Sequence, residues 1–189
     1  VDAFAEIGVS ARLEPIEGGY PAVCAEIPAP PGAPTVLMYA HYDVQPAPME
    51  QGWDTDPFVA TEVDGRIHGR GAADDKSGIA IHLATLAAFE GKPPVGVRLV
   101  IEGEEETISH LEAHVDKYPE RFAADVMLIA DMGNIVVGEP ALSIALRGHV
   151  KAIVEIETLE APVHSGLFGG AAPDALMTLI RLLDRLTDE

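Results

Sequence analysis

Basic residues are scarce in this sequence. Lysine and arginine total 12 against 31 aspartates and glutamates, which gives a formal net charge of −19 at pH 7 over 189 residues. Because such a chain offers no basic face to neutralise phosphates, we predict that neither nucleic acid nor an anionic membrane is a partner. Hydrophobic residues make up 48% of the chain, so it can bury a core and is not a disordered acidic tail. Cations are the partners that the charge favours.

Cysteine and long apolar runs are also scarce. Cys24 is the single cysteine, so no internal disulfide can form, and its place in the apolar run 21–27 predicts a small buried side chain. No stretch approaches the ~20 apolar residues of a membrane span. The first residues lack the charged and apolar regions of a signal peptide. We therefore expect a reducing, cytoplasmic compartment.

The apolar residues that are present follow the pattern of an α/β fold. Three short runs rich in branched residues, 35–40, 95–101 and 125–130, predict buried strands. A helix is predicted between the first two, and a shorter one at about 109–118 lies between the last two. The longer helix is indicated by four residues at helical spacing: Ile79, Leu83, Leu86 and Ala87. Strands that alternate with helices predict a mostly parallel sheet.

The pattern changes after Pro140. Residues 150–156 alternate between apolar and mostly charged side chains, which predicts an antiparallel strand covered on one face. A turn region rich in glycine and proline follows at 160–173. The last element is a predicted helix with one apolar stripe, formed by Leu176, Leu179, Ile180 and Leu183. These features indicate a second unit of α+β type.

Each predicted strand of the first unit leads into side chains that can bind a metal. Ligands of an open parallel sheet bind beyond the carboxyl ends of its strands. The first strand leads into His41 and Asp43, the second into Glu102 and residues 104–106, and the third into Asp131. Asp43 can orient the His41 ring while the other ring nitrogen binds a metal. The glutamates have a second interpretation as a solvated acidic face, but crowded carboxylates repel one another unless a cation compensates.

Other polar motifs have simpler interpretations. Asp74 and Asp75 open the first predicted helix, where acids can also serve only as N-caps. The segment 69–74 resembles a dinucleotide fingerprint, but Asp74 replaces the third glycine and a polar turn precedes it, which argues against a nucleotide-binding module. His110 and His114 are four residues apart without the His-Glu-x-x-His pattern, and we predict that both are solvated.

Five motifs occur in a characteristic order: YAHYDVQP at 39–46, GWDTDPF at 52–58, DGRIHGRGAADDK at 64–76, EGEEETIS at 102–109 and HSGLFGG at 164–170. Together they closely resemble the two-metal zinc peptidase family of carnosinases, dipeptidases, aminoacylases, glutamate carboxypeptidases and succinyl-diaminopimelate desuccinylases. The dipeptidase branch is the most similar. The resemblance implies an α/β catalytic domain with a mostly parallel sheet at 1–141. It also implies that 142–189 begins an inserted α+β lid or dimerisation domain.

The resemblance also implies a role for each site residue. One metal would be bound by His41 and Asp131, Asp74 would bridge both metals, and Glu106 would bind the second. Glu105 would be the general base and Asp43 would orient His41. His164 would be a lid histidine that reaches the site of the partner subunit in a homodimer. Carboxylate and imidazole ligands suit two divalent ions, zinc above all, with manganese or cobalt as alternatives.

Two departures from the family pattern affect these expectations. Ile108 stands where the family has glycine, and a branched residue is unfavourable there if the backbone requires a positive φ. The family's remaining metal-binding histidine and its groups for the substrate carboxylate lie beyond Glu189. We therefore expect the chain to be an N-terminal fragment that is inactive by itself.

The function implied is metal-dependent hydrolysis of the amide bond of dipeptides or N-acyl amino acids. In this mechanism an activated water attacks the carbonyl, and Glu105 moves the protons. The alternative is a non-catalytic fragment of such a protein that binds metal or only dimerises. Which amide is cleaved is left open by the sequence.

Overall fold

The computed structural model describes residues 1–186 and contains two compact units. The first is Val1–Ser143 and the second begins at Ile144. The assignment of 1–141 to a catalytic domain and of 142–189 to a lid domain stays a prediction. Among the described residues, no helix is both long and apolar enough to cross a membrane.

The first unit is built from seven strands and three α-helices among its described residues. In chain order they are α1 (Asp2–Glu6), β1 (Ala11–Glu14), β2 (Ala22–Ile27), β3 (Thr35–His41), β4 (Thr61–Val63), β5 (Arg66–His68), α2 (Lys76–Ala88), β6 (Gly96–Glu102), α3 (Leu111–Lys117) and β7 (Val126–Ile129). The strands β4 and β5 form a separate antiparallel pair. The predicted alternation of strands and helices after residue 35 is confirmed.

The main sheet has the strand order β1-β2-β6-β3-β7. The strand β3 lies parallel to both β6 and β7, whereas β2 is antiparallel to β1 and to β6. Four strands therefore point the same way and β2 is reversed, which confirms the mostly parallel sheet. Because β3, β6 and β7 are parallel, their carboxyl ends meet at one edge of the sheet.

Side chains of β3 and β6 alternate between two cores, one on each face of the sheet. Met38 and Ala40 pack with Leu86 of α2, whereas Leu37 packs with Leu111 of α3 on the other face. The prediction of buried strands is confirmed for β3 and β6. Cys24 lies in the second core, as predicted, and burial raises the pKa of its thiol to about 11.

The buried face of α2 differs slightly from the predicted stripe. Its fully covered residues are Gly78, His82 and Leu86, spaced four apart, whereas Ala87 is exposed. The predicted stripe is wrong at Ala87, because the buried face of α2 is centred on Gly78, His82 and Leu86. His82 was left out of the prediction because it is polar. The His82 ring nitrogen Nε2 lies 2.9 Å from the carbonyl oxygen of Tyr39, so the imidazole is satisfied on that side within the sheet. Burial lowers the pKa of His82, which favours the neutral ring.

The third predicted strand forms but is not buried. All four side chains of β7 are more than a third exposed. Among the described residues β7 pairs only with β3, so it lies at the edge of the sheet, where fewer elements cover its side chains. The expectation of a buried strand at 125–130 is therefore wrong in burial and right in location.

We predicted that His110 and His114 are both solvated, and this is wrong for His114, which lies in α3. Its side chain is buried, and its ring lies 4.9 Å from that of Tyr118 and 6.0 Å from that of Phe122. An imidazole can pack as an aromatic ring, which polarity alone does not reveal. His110, just before the helix, remains half-exposed.

The second unit contains α4 (Ser165–Phe168) and α5 (Ala175–Asp184). Asp174 is the N-cap of α5, and its carboxylate accepts a hydrogen bond from Met177 N–H at 2.8 Å. The predicted apolar helix is confirmed. The strand predicted at 150–156 is wrong, because none of the described residues pairs with this segment. Alternation of side chains creates a face to bury, but a strand also needs backbone hydrogen-bond partners.

We predict that Leu86→Ala lowers the free energy of unfolding by about 2–5 kcal/mol, because it opens a cavity between α2 and the sheet. Leu86 is 1% exposed. Urea denaturation measures the change. The matched control is Ile81→Ala on the exposed side of α2, which should alter stability by no more than about 0.5 kcal/mol. Equal losses in the two variants would contradict the packing described for α2.

Candidate metal centre

Three metal-competent side chains meet at the carboxyl edge of the parallel strands. His41 is the last residue of β3, Asp131 follows the end of β7, and Asp74 precedes α2. One ligand atom from each lies within 4.8 Å of the ligand atoms of the other two. Backbone topology thus brings together residues that are far apart in the chain.

The buried imidazole of His41 lies at the centre of this group. Its Nε2 atom is 2.9 Å from Asp74 Oδ1 and 3.9 Å from both Glu105 Oε2 and Asp131 Oδ1. Its Nδ1 atom is 3.2 Å from the carboxylate of Asp43 and 3.2 Å from the carbonyl oxygen of Asp43. Asp43 therefore holds one ring nitrogen while the other faces three carboxylates, which is the arrangement of a metal-binding histidine with its orienting acid.

Charge crowding changes the pKa values of the central groups. Burial lowers the pKa of His41, but the hydrogen bond to Asp74 and the nearby carboxylates outweigh it, so the pKa is raised. Burial raises the pKa of Glu105, and repulsion from Asp131 and Glu106 adds to this despite the opposing effect of His41. Burial likewise raises the pKa of Asp131, together with repulsion from other carboxylates. A bound cation would relieve this repulsion, and the nitrogen and oxygen donors suit a divalent transition metal.

Asp74 and Asp75 divide two tasks that the sequence left open. The Asp75 carboxylate is buried and accepts hydrogen bonds from Gly78 N–H at 3.1 Å and from His41 N–H at 3.0 Å. Asp75 is therefore the N-cap of α2 and also joins that helix to the end of β3. Any side chain at position 78 would collide with the Asp75 carboxylate and the Ala130 carbonyl, which explains the glycine there. Asp74 is left exposed with its carboxylate on His41.

The glutamates at the end of β6 and just after it also have different roles. Glu102 is buried and accepts hydrogen bonds from the hydroxyl of Tyr39, at 2.7 Å, and from that of Ser109. The carboxylate of Glu104 lies 2.9 Å from Nδ1 of His110. These two carboxylates brace the loop and lie outside the group of His41, Asp74 and Asp131.

Asp43 also organises the glutamate loop, a role that the sequence did not indicate. Its carboxylate accepts hydrogen bonds from Glu105 N–H at 3.1 Å and from Glu106 N–H at 3.0 Å. Ile108 does not disturb this loop. Its side chain is 80% exposed, and its backbone is not among the described non-glycine residues with positive φ. The glycine that the family pattern has there is not required by the conformation of this loop.

Four predicted site residues lie outside the group of His41, Asp74 and Asp131. Asp43 and Glu105 lie beside His41, as described above, whereas Glu106 and His164 have other partners. The carboxylate of Glu106 is held by Gln45, whose side-chain Nε2 donates to Glu106 Oε2 at 3.0 Å. His164 lies in the second unit, where its Nδ1 accepts a hydrogen bond from Gly166 N–H at 3.1 Å and caps α4. Gln45 was missed by the sequence analysis, although it follows Asp43 by two residues in the same motif.

Comparison with known proteins places these motifs among peptidases. The chain matches Peptidase family M20/M25/M40 over residues 37–175. It is 47% identical over 161 residues to cysteinylglycine-S-conjugate dipeptidase of Corynebacterium striatum, covering 83% of this chain and 35% of that protein. It is 34% identical over 176 residues to Cys-Gly metallodipeptidase DUG1 of Saccharomyces cerevisiae, covering 89% and 37%.

Among solved structures, human carnosine dipeptidase 1 is similar with a TM-score of 0.68 and 31% identity, covering 100% of this chain and 42% of that one. The similarity agrees with the mixed, mostly parallel sheet and its flanking helices. The chain spans about a third of the length of the curated relatives that it matches.

We predict that Zn²⁺ raises the melting temperature of the chain and that a chelator reverses this. An ion that binds only the folded state adds about 2.7 kcal/mol of stability at a hundredfold excess over its Kd. The gain should fall as the pH is lowered through the pKa of His41, which lies above its ordinary 6.5, because protons then compete for the imidazole.

Differential scanning fluorimetry with Zn²⁺ over a pH series tests this prediction. His41→Ala should abolish the response. His68→Ala, on the exposed face of β5, is the matched control and should retain it. A wild-type melting temperature that neither ions nor chelator change would refute the metal centre.

Proposed function

The chain belongs to peptidase family M20/M25/M40, and from this premise we propose that it serves the metal-dependent hydrolysis of dipeptide amide bonds. The observation that carries the proposal is the convergence of His41, Asp74 and Asp131, with ligand atoms within 4.8 Å of one another. An N-capping acid alone would not explain why Asp74 faces the His41 ring, because Asp75 already caps α2.

The group of His41, Asp74 and Asp131 supplies three ligands for one divalent ion, and Asp74 with Glu106 is this chain's contribution to a second in our proposal. In our proposal His41 and Asp131 would hold the first ion, Glu106 would hold the second, and Asp74 would serve both. The ions are zinc, with manganese and cobalt as the alternatives that the same donors accept. When bound, they would polarise the amide carbonyl and lower the pKa of a water molecule.

Glu105 is the proposed general base. Its carboxylate lies at the metal group, 3.9 Å from His41 Nε2, and Asp43 holds its backbone in place. Burial and the neighbouring carboxylates raise its pKa, which brings a carboxylate nearer to the range in which it can accept and return protons. Glu105 takes a proton from the attacking water and passes it to the nitrogen of the leaving amine.

The names of the relatives favour dipeptides over N-acyl amino acids as the substrate class. They act, by name, on Cys-Gly, on cysteinylglycine S-conjugates and on beta-Ala-His. Two-residue peptides are what these names share. The alternative, a chain that binds metal without turnover, differs in one measurable way: it would pass the metal test while no polypeptide containing it hydrolysed dipeptides.

We expect Glu105→Gln to retain metal but to lose on the order of 10²-fold or more in kcat, because proton transfer is removed. Glu106→Gln should instead weaken metal binding. Glu50→Gln, an exposed residue, is the control for the change in charge. The measurements are metal content and Cys-Gly hydrolysis, in the longest natural polypeptide that contains this chain. Reversed phenotypes for Glu105 and Glu106 would show that the motif is assigned one residue off.

His164 is proposed to act across a homodimer and to stabilise the developing oxyanion in the partner's site. Its Nδ1 is occupied by the cap of α4, which leaves Nε2 as the nitrogen that can reach substrate. The alternative is that His164 is an exposed histidine without a role in the reaction.

In the longest natural polypeptide that contains this chain, a variant with His164→Ala and a variant with Glu105→Gln should each be inactive. Mixed and allowed to exchange subunits, they should recover activity, because one hybrid site would contain both native residues. Absence of recovery, with exchange verified by mass spectrometry, would place His164 in its own subunit's site or outside the reaction.

A further inference from the structure

The segment after β3 directs alternate side chains toward the glutamate loop. His41, Asp43 and Gln45 are two residues apart, and His41 Nε2 lies 3.9 Å from Glu105 Oε2 in that loop. Asp43 accepts the N–H groups of Glu105 and Glu106, as described above. Gln45 completes the series through its side-chain amide.

The Gln45 amide makes two hydrogen bonds to one residue. Its Nε2 atom donates to the main-chain carbonyl oxygen of Glu106 at 2.6 Å and to Glu106 Oε2 at 3.0 Å. A residue that is itself exposed thus fixes both the backbone and the carboxylate of Glu106. With Oε2 held, the orientation of the other carboxylate oxygen is also restricted.

We propose that Gln45 is the positioning residue that prepares Glu106 as a ligand of the second metal ion. The inference rests on the proposed function, in which Glu106 is such a ligand. Outer partners that hydrogen-bond a ligating carboxylate fix its orientation and its basicity. Gln45 does this while Asp43 holds the N–H of the same residue, so Glu106 is held at its amide, its carbonyl and its side chain.

The role proposed for position 45 requires an uncharged hydrogen-bond donor. A lysine or arginine would also donate to Glu106, but its charge would compensate the carboxylate and compete with the metal ion. A glutamine satisfies one carboxylate oxygen and leaves the negative charge available to the cation. The same reasoning predicts that a glutamate at position 45, which has the same shape, repels Glu106 and cannot donate when ionised.

Two variants separate loss of the donor from addition of charge. Gln45→Met removes the donor and keeps a side chain of similar length, and Gln45→Glu adds a charge as well. Both should weaken binding of the second ion, the one assigned to Glu106, by about 10- to 100-fold and leave binding of the first ion unchanged. The matched control is Gln51→Glu in the Met49–Gln51 turn, which makes the same charge change on an exposed residue.

The experiment is calorimetric titration with Zn²⁺ of the metal-free form of the longest natural polypeptide that contains this chain, together with melting curves of each metal-free variant. Selective weakening of the second event, with metal-free melting temperatures near that of the wild type, supports the role of Gln45. Gln45 variants that titrate like the wild type, although Glu106→Gln removes the second event, overturn it and leave the proposed function intact. Weaker binding of both ions together with a lowered melting temperature also overturns the role of Gln45, because that result reflects local unfolding.

Other outcomes concern the proposed function itself. A wild-type chain that binds no Zn²⁺ refutes the metal centre. A full-length polypeptide that binds one ion, or a Glu106→Gln variant that binds both ions like the wild type, refutes Glu106 as a ligand and the role of Gln45 with it.

Discussion

Parallel pairing of β3 with β6 and β7 is the constraint on which the candidate site depends. It brings the carboxyl ends of three strands to one edge, and each end continues into acidic or imidazole side chains. The same pairing creates an electrostatic problem, because carboxylates gathered around a buried histidine repel one another. Burial raises the pKa values of Glu105 and Asp131, and repulsion from neighbouring carboxylates raises them further. A site that is unfavourable without a cation is well suited to bind one.

Neighbouring acids with the same side chain have different tasks in this site. Asp75 is buried, caps α2 and holds the backbone of His41, whereas Asp74 is exposed to the metal group. Glu102 and Glu104 are engaged by hydroxyl groups and by His110, and they brace the loop that carries Glu105 and Glu106. The supporting acids are satisfied by hydrogen bonds. The others keep a lone pair available for a cation or a proton.

The packing of helix α2 on the sheet positions Asp74 at the site. Leu86 and His82 anchor one side of the helix to β3, and Gly78 permits its first turn to approach Ala130 beside Asp131. The N-terminus of the helix therefore meets the ends of both β3 and β7. Asp74 is positioned through this packing, and a displacement of α2 would move one ligand relative to the other two.

The sequence by itself determined the features that arise from local patterns. The strands at 35–40 and 95–101, the helices around Leu83 and Leu179, and the family itself could be read from apolar spacing and from five ordered motifs. His41 and Asp131 could also be placed together, since the ends of parallel strands must meet, whereas Asp74 was added to them only by the family resemblance. These features need no knowledge of which distant residues are in contact.

Only the tertiary structure decided which partner each residue has. Burial of His82 and His114, exposure of β7 and the absence of a strand at 150–156 depend on neighbours that no local pattern specifies. The division of tasks between Asp74 and Asp75 and the hold of Gln45 on Glu106 have the same origin. A carboxylate or amide has the same chemistry everywhere in a sequence, and the groups within hydrogen-bond distance in the fold determine what it does.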